Sequence, residues 1–77
     1  MEEFLRYALG PLVEFPEDVI IKKTETPSSV RILVSARPSD IPKIIGKNGN
    51  TVRALRTLLM ASAEKRNLTV TLEIIEP

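Results

Sequence analysis

The chain of 77 residues contains neither cysteine nor histidine. That absence removes disulfide frameworks, thiolate and imidazole metal sites, and every nucleophile pair of the Ser-His or Cys-His kind. Carboxylate chemistry is left, but the ten acidic residues are scattered along the chain, and most read as solvated surface or helix-end charge. No set of residues offers itself as nucleophile, base and oxyanion site, so no enzyme, metal or cofactor is expected. Long apolar runs are missing too. No stretch approaches the ~20 residues of a membrane-spanning helix, and the acidic opening Met1-Glu2-Glu3 lacks the basic start of a signal peptide. The chain is expected to be cytoplasmic, without a membrane partner. Its length fits one domain over residues 1–77, near the lower limit for folding without staples.

Glycine is scarce, and two of the three glycines stand three positions apart, in Ile44-Ile45-Gly46-Lys47-Asn48-Gly49. Such a G-x-x-G turn reverses the chain tightly and brings the main chain close to a ligand, with positive φ available at each glycine. Asn48-Gly49 is also a hairpin signal, but a hairpin needs alternating strands on both sides. Residues 51–66 instead hold Ala, Leu, Arg, Met, Glu and Lys with no Gly or Pro, which favours a helix. Upstream, Ser39 or Asp40 is expected to cap a short helix with Pro42 in its first turn. The turn thus joins two helices. The unpaired amides of the second, with the positive end of its dipole, favour a phosphate, and Lys47 and Arg53 add mobile positive charge.

Net charge is only +1, yet residues 37–56 carry Arg37, Lys43, Lys47, Arg53 and Arg56 against Asp40 alone. A local basic zone around a glycine turn suits a small phosphate-backbone footprint better than broad coating of a duplex. The other reading is ordinary solvated charge on two amphipathic helices.

Phe4, Leu5, Ala8, Leu9 and Leu12 recur at helical spacing and predict a first helix with one buried face. Pro11 has no N–H for the Tyr7 carbonyl, so a kink or restart is expected at Gly10-Pro11. Residues 19–25 are β-branched and basic, 26–29 (Thr-Pro-Ser-Ser) form a turn, and 30–36 alternate, with Val30, Ile32, Val34 and Ala36 on one side; this reads as a hairpin. Leu68, Val70, Leu72 and Ile74 alternate likewise in a last strand. The order helix, strand, strand, helix, helix, strand makes a two-layer α/β sandwich. The helix pair forms a crossover long enough for parallel pairing of its flanking strands, and the hairpin adds an antiparallel edge to a three-stranded mixed sheet.

With that order, the chain resembles a K-homology (KH) domain of the bacterial type, a type II KH fold whose helices cover one face of the sheet. Ile44-Ile45-Gly46-Lys47-Asn48-Gly49 stands where that family has I-I-G-x-x-G. The run Val52-Arg53-Ala54-Leu55-Arg56-Thr57-Leu58-Leu59 is similar to that of the small single-domain RNA-binding family called KhpA-type. There are departures: Pro42 stands where relatives often have glycine, Gly10-Pro11 breaks a helix that is usually continuous, and Asn48 is uncharged. None removes a signature residue.

The resemblance implies that Gly46, Lys47, Asn48 and Gly49 grip the backbone of about four nucleotides of single-stranded RNA. Lys43, Asn50, Arg53, Arg56 and Arg37 stand around the grip. Ile41, Ile44 and Ile45 would line a groove for the bases, with residues 34–37 opposite. For Ile44 and Ile45 plain core packing is the competing reading. The only aromatics, Phe4, Tyr7 and Phe15, fall in the first fifteen residues, so stacking platforms are not expected. On the long helix Val52, Leu55, Leu59 and Ala63 form a core stripe, and Ala54, Thr57, Met60 and Ala61 fall on or near the opposite side. That opposite face is either a close-packing surface between chains or an exposed run of good helix formers. The resemblance implies a homodimer, or a heterodimer with a larger KH-containing protein, in an RNA chaperone or post-transcriptional regulator. Two other readings stay open: a protein-interaction module without RNA binding, and a subunit associated with the ribosome or RNA processing.

Overall fold

The structure, a computed structural model, describes residues 2–75; Met1 and Glu76, which enter the sequence reading, and Pro77 lie outside the described residues. Helix α1 spans Glu2–Leu9, with Glu2 and Glu3 in its first turn, where they complement the helix dipole. Leu5 and Leu9, one turn apart, are its buried residues. The helix ends before Pro11, as the missing N–H requires, and Gly10–Leu12 continues as a single 3-10 turn. The buried face is narrower than its sequence pattern, because Phe4 and Leu12 beyond the break stay 40% and 39% exposed.

Strands β1 (Ile20–Glu25) and β2 (Ser29–Ser35) form an antiparallel hairpin from Ile20↔Ser35 to Glu25↔Val30. Thr26 organises its turn: the hydroxyl accepts the Ser29 N–H at 3.0 Å, and its own N–H donates to the Ser29 carbonyl at 2.8 Å. Strand β3 (Thr69–Ile75) lies parallel to β2, from Ser29↔Thr69 to Ser35↔Ile75, so the sheet order is β1-β2-β3. Between β2 and β3 the chain crosses over through α2 (Ile41–Ile45) and α3 (Asn50–Glu64).

Alternation sorts the central strand. Val30, Ile32 and Val34 are buried, whereas Arg31 is exposed and Leu33 and Ser35 are half-buried. Against that buried face lie Leu5 and Leu9 of α1, Ile41 and Ile44 of α2, and Val52, Leu55 and Leu59 of α3, all in one core cluster with Leu72 of β3. The helices therefore cover one face of a three-stranded mixed sheet, which is the expected two-layer arrangement. Asn67, at φ 56°, takes the left-handed conformation that ends α3, and the Leu68 N–H returns to the Ala63 carbonyl at 3.0 Å.

One expectation fails in detail. Asp40 precedes α2, but no side chain caps this helix. The Asp40 carboxylate is fully buried and accepts the backbone N–H groups of Glu14 (3.1 Å) and Phe15 (3.0 Å). It pins the linker after α1 to the base of α2, a long-range role that local sequence spacing does not disclose.

Candidate nucleic-acid interface

Three of the four residues in the G-x-x-G loop have positive φ: Gly46 at 78°, Asn48 at 56° and Gly49 at 73°. Left-handed backbone is disfavoured for residues with a Cβ, and asparagine tolerates it better than most. The two glycines are needed for different reasons. A Cβ on Gly46 would lie 2.7 Å from Thr51 Cβ and closer still to Thr51 Oγ1, so the first turn of α3 packs directly on this glycine. A Cβ on Gly49 would meet no protein atom within 4 Å, so the main chain there is open to an approaching group. The Gly46 N–H donates to Pro42 (2.9 Å), which closes α2, and the Gly49 N–H donates to Gly46 (3.1 Å).

This loop delivers the chain into the start of α3, a helix of 15 residues with Gly49 at its N-cap, no side-chain cap and no acidic residue in its first turn. The first-turn amides of a helix have no intrahelical partners; here the Asn50 N–H donates to the Lys47 carbonyl, and no carboxylate or hydroxyl caps the others. Their positive potential is therefore available to an anion beside the loop. Lys47 and Asn48 are exposed on the loop itself, and Asn50 and Arg53 are exposed on the adjoining turn of α3. Arg53 reaches Asn50 Oδ1 at 3.5 Å, a long contact that leaves its guanidinium adaptable.

The other basic residues divide. Lys43, on α2, lies 3.5 Å from Asp40 and 3.8 Å from Glu14. Arg37, beyond the end of β2, pairs with Asp18 and stacks on the Phe15 ring 3.8 Å from its centroid. The hydrogen bond to Asp18 holds the Arg37 guanidinium above its ordinary value. Arg56 turns away from the loop: its Nε and a terminal nitrogen donate to the Leu72 carbonyl at 3.2 and 3.1 Å, on the outer side of edge strand β3. Of the five cations in the basic zone, only Lys47 and Arg53 thus lie beside the loop without an ion-pair partner among the described residues.

The isoleucines divide as well. Ile41 is 3% and Ile44 0% exposed, both in the core cluster, so core packing is their structural role. Ile45 alone keeps accessible surface, packed partly against the core. Any base-facing aliphatic wall therefore begins at Ile45, with Ile41 and Ile44 supporting it from behind. Burial of the alternate members of a short helix cannot be separated from groove lining on sequence alone.

On α3, Val52, Leu55, Leu59 and Ala63 are buried as their spacing predicts, and Ala54, Thr57, Met60 and Ala61 are exposed. Leu58, 56% exposed, joins this outer face and lines two adjoining grooves. One, of about 450 Å³, runs from Asn50 past Ala54 and Thr57; the other, of about 330 Å³, lies between α3 and Phe4 of α1. Met60 sits on the opposite flank, in a groove with Arg56 and β3.

A mixed three-stranded sheet backed by helices, with a G-x-x-G loop joining two helices of the crossover, defines a K-homology domain. More narrowly, the family described as KhpA/KhpB, KH domain, matches residues 2–74, and the chain belongs to it. It is 45% identical over 76 residues to an "RNA-binding protein KhpA" of Chlamydia pneumoniae, covering 99% of this chain and 97% of that protein. A protein of the same name from Listeria monocytogenes is 41% identical over 99% of this chain and all of its own length. One from Oceanobacillus iheyensis is 36% identical, over 97% of this chain and all of its own length. No solved structure matches the chain.

Proposed function

We propose that the chain is an RNA-binding protein that holds about four nucleotides of single-stranded RNA at residues 46–49. The observation that carries this reading is the uncapped, acid-free start of α3 placed behind a loop with three left-handed residues and the exposed Lys47. Relatives that match nearly end to end are named RNA-binding proteins, which supports the same reading. Phosphates meet the first-turn amides of α3, Lys47 and Arg53, and bases turn towards Ile45. A footprint with so few phosphate contacts binds weakly and with loose sequence preference, as suits an RNA chaperone or post-transcriptional regulator in the cytoplasm. Avidity then comes from pairing, with a second copy or a larger KH-containing protein, through Ala54, Thr57, Ala61 and their neighbours on α3.

The test is binding of fluorescent single-stranded RNA at two salt concentrations by wild type and by Lys47→Asp with Asn48→Asp. Aspartate tolerates the left-handed conformation at position 48, so this variant keeps the fold while placing negative charge in the loop. Wild type is expected to bind with salt-sensitive affinity, and the variant, folded by circular dichroism, to lose at least tenfold. Equal binding by both proteins would reject the loop as the grip.

A further inference from the structure

The segment after α1 carries Glu14, Glu17 and Asp18, and its carboxylates are directed at the basic zone. Asp18 pairs with Arg37, Glu14 shares Lys43 with Asp40 (3.8 and 3.5 Å), and the Glu17 charge adds to the field that favours protonated Arg37. Arg37 is also held flat on the Phe15 ring, so one short stretch supplies both the counter-charge and the surface on which the guanidinium rests. The stretch is itself fixed, since the Glu14 and Phe15 amides are bound by buried Asp40. These cations flank α2, with Arg37 before the helix and Lys43 in its last turn, both on the side held by the linker after α1 rather than on the G-x-x-G loop. A strand of RNA leaving the loop along α2 meets cations that already have partners.

We infer that segment 14–18 competes with RNA phosphates for Arg37 and Lys43, and so confines the footprint to the G-x-x-G loop. This rests on the RNA-binding function proposed above and adds the device that limits its reach. Exposed ion pairs are weak, so phosphates can displace them, but each displacement subtracts from the gain of the new contact. RNA of four nucleotides ignores the segment; longer RNA has to exchange carboxylate for phosphate. The contacts join positions 14–18 to positions 37–43, a separation across which sequence gives no pairing signal.

The decisive experiment compares labelled oligouridylates of four and twelve nucleotides on four proteins, each checked for folding by circular dichroism. These are wild type, Glu14→Gln/Glu17→Gln/Asp18→Asn, a charge-matched control Glu2→Gln/Glu3→Gln/Glu64→Gln, and the first triple variant with Arg37→Ala and Lys43→Ala added. The acidic-segment variant is expected to bind the twelve-mer about tenfold more tightly, roughly threefold for each cation that loses a carboxylate of the segment. Its log–log salt slope steepens by about 1.4, the value for two further phosphates on a single strand. Its affinity for the four-mer stays within about twofold of wild type, and the gain vanishes when Arg37 and Lys43 are removed. Should Asp18→Asn unfold the chain, Glu14→Gln/Glu17→Gln alone is expected to give about a threefold gain. Equal twelve-mer affinity in wild type and variant, or an equal gain in the charge-matched control, overturns the inference. If that happens while Lys47→Asp/Asn48→Asp still abolishes binding, the loop reading survives; if no protein binds either RNA, both fall.

Discussion

At the scale of single residues, the two loop glycines look interchangeable in sequence and are not so in space. Gly49→Ala adds only the penalty of a left-handed alanine, about 1–2 kcal/mol, because its Cβ points into open space. Gly46→Ala is strained further, since φ 78° with ψ 174° is a conformation essentially confined to glycine, and it drives a Cβ into Thr51, which is held in the first turn of α3. Urea denaturation is therefore expected to rank Gly46→Ala below Gly49→Ala, with Gly46→Ala losing more than about 2 kcal/mol. Gly46→Ala should also displace the loop, so that RNA affinity falls even in the folded fraction. The reverse ranking would show that Thr51 yields without difficulty. The G-x-x-G spacing was legible in sequence as a tight turn, and so was the need for positive φ. That Thr51 imposes the stricter demand was not, since it depends on where the turn places α3. Asn48 completes the loop at φ 56° without a glycine, in keeping with the turn signal that Asn48-Gly49 carries in the sequence.

At the scale of elements, the legible parts are those whose periodicity matches a single burial direction. The α3 stripe Val52, Leu55, Leu59, Ala63 and the alternation of β2 were both readable, because each element has one apolar face and one solvated face. The break of α1 at Gly10-Pro11 was readable from the missing N–H. What escaped were contacts between elements: Arg56 reaching Leu72, Arg37 lying on Phe15, and the participation of Leu58 and Phe4 in the outer face of α3. That outer face supports a prediction of its own. Leu58 is 56% exposed and Ala61 is exposed, so Leu58→Glu with Ala61→Glu removes little buried area and should leave the melting temperature within a few degrees of wild type. In the proposed self-association the same change puts two carboxylates per chain into an apolar contact, where unpaired charge is strongly disfavoured. Light scattering after size exclusion is expected to give the mass of a pair for wild type and of one chain for the variant. A wild type that stays at one-chain mass at high micromolar concentration removes this face as a homodimer contact and leaves the larger KH-containing partner.

At the scale of the whole molecule, a domain this small has little stability in reserve, so one buried charge matters to all of it. Asp40 is the one buried polar or charged side chain among the described residues, and it joins the linker at Glu14 and Phe15 to α2, at whose start it stands and whose Lys43 it faces. Burial alone would push its carboxyl up, but the two amide N–H groups and the Lys43 ammonium outweigh that and hold it below its ordinary value. A carboxyl depressed by folding binds its proton more readily in the unfolded chain. The stability it contributes is therefore fully present above the unfolded value, about 3.9, and is lost as pH falls through the lower folded value. Wild type is expected to be most stable near neutral pH and to lose stability steeply below about pH 4. Asp40→Asn keeps one acceptor oxygen for the linker amides and loses the charge, so it should melt several degrees lower at pH 7 and show a shallower decline between about pH 5 and pH 2. The two melting curves converge in acid, where wild type is protonated as well. Parallel curves over that range would mean that the charge of Asp40 contributes nothing beyond its shape, and that the acid sensitivity of the fold arises at its surface carboxylates.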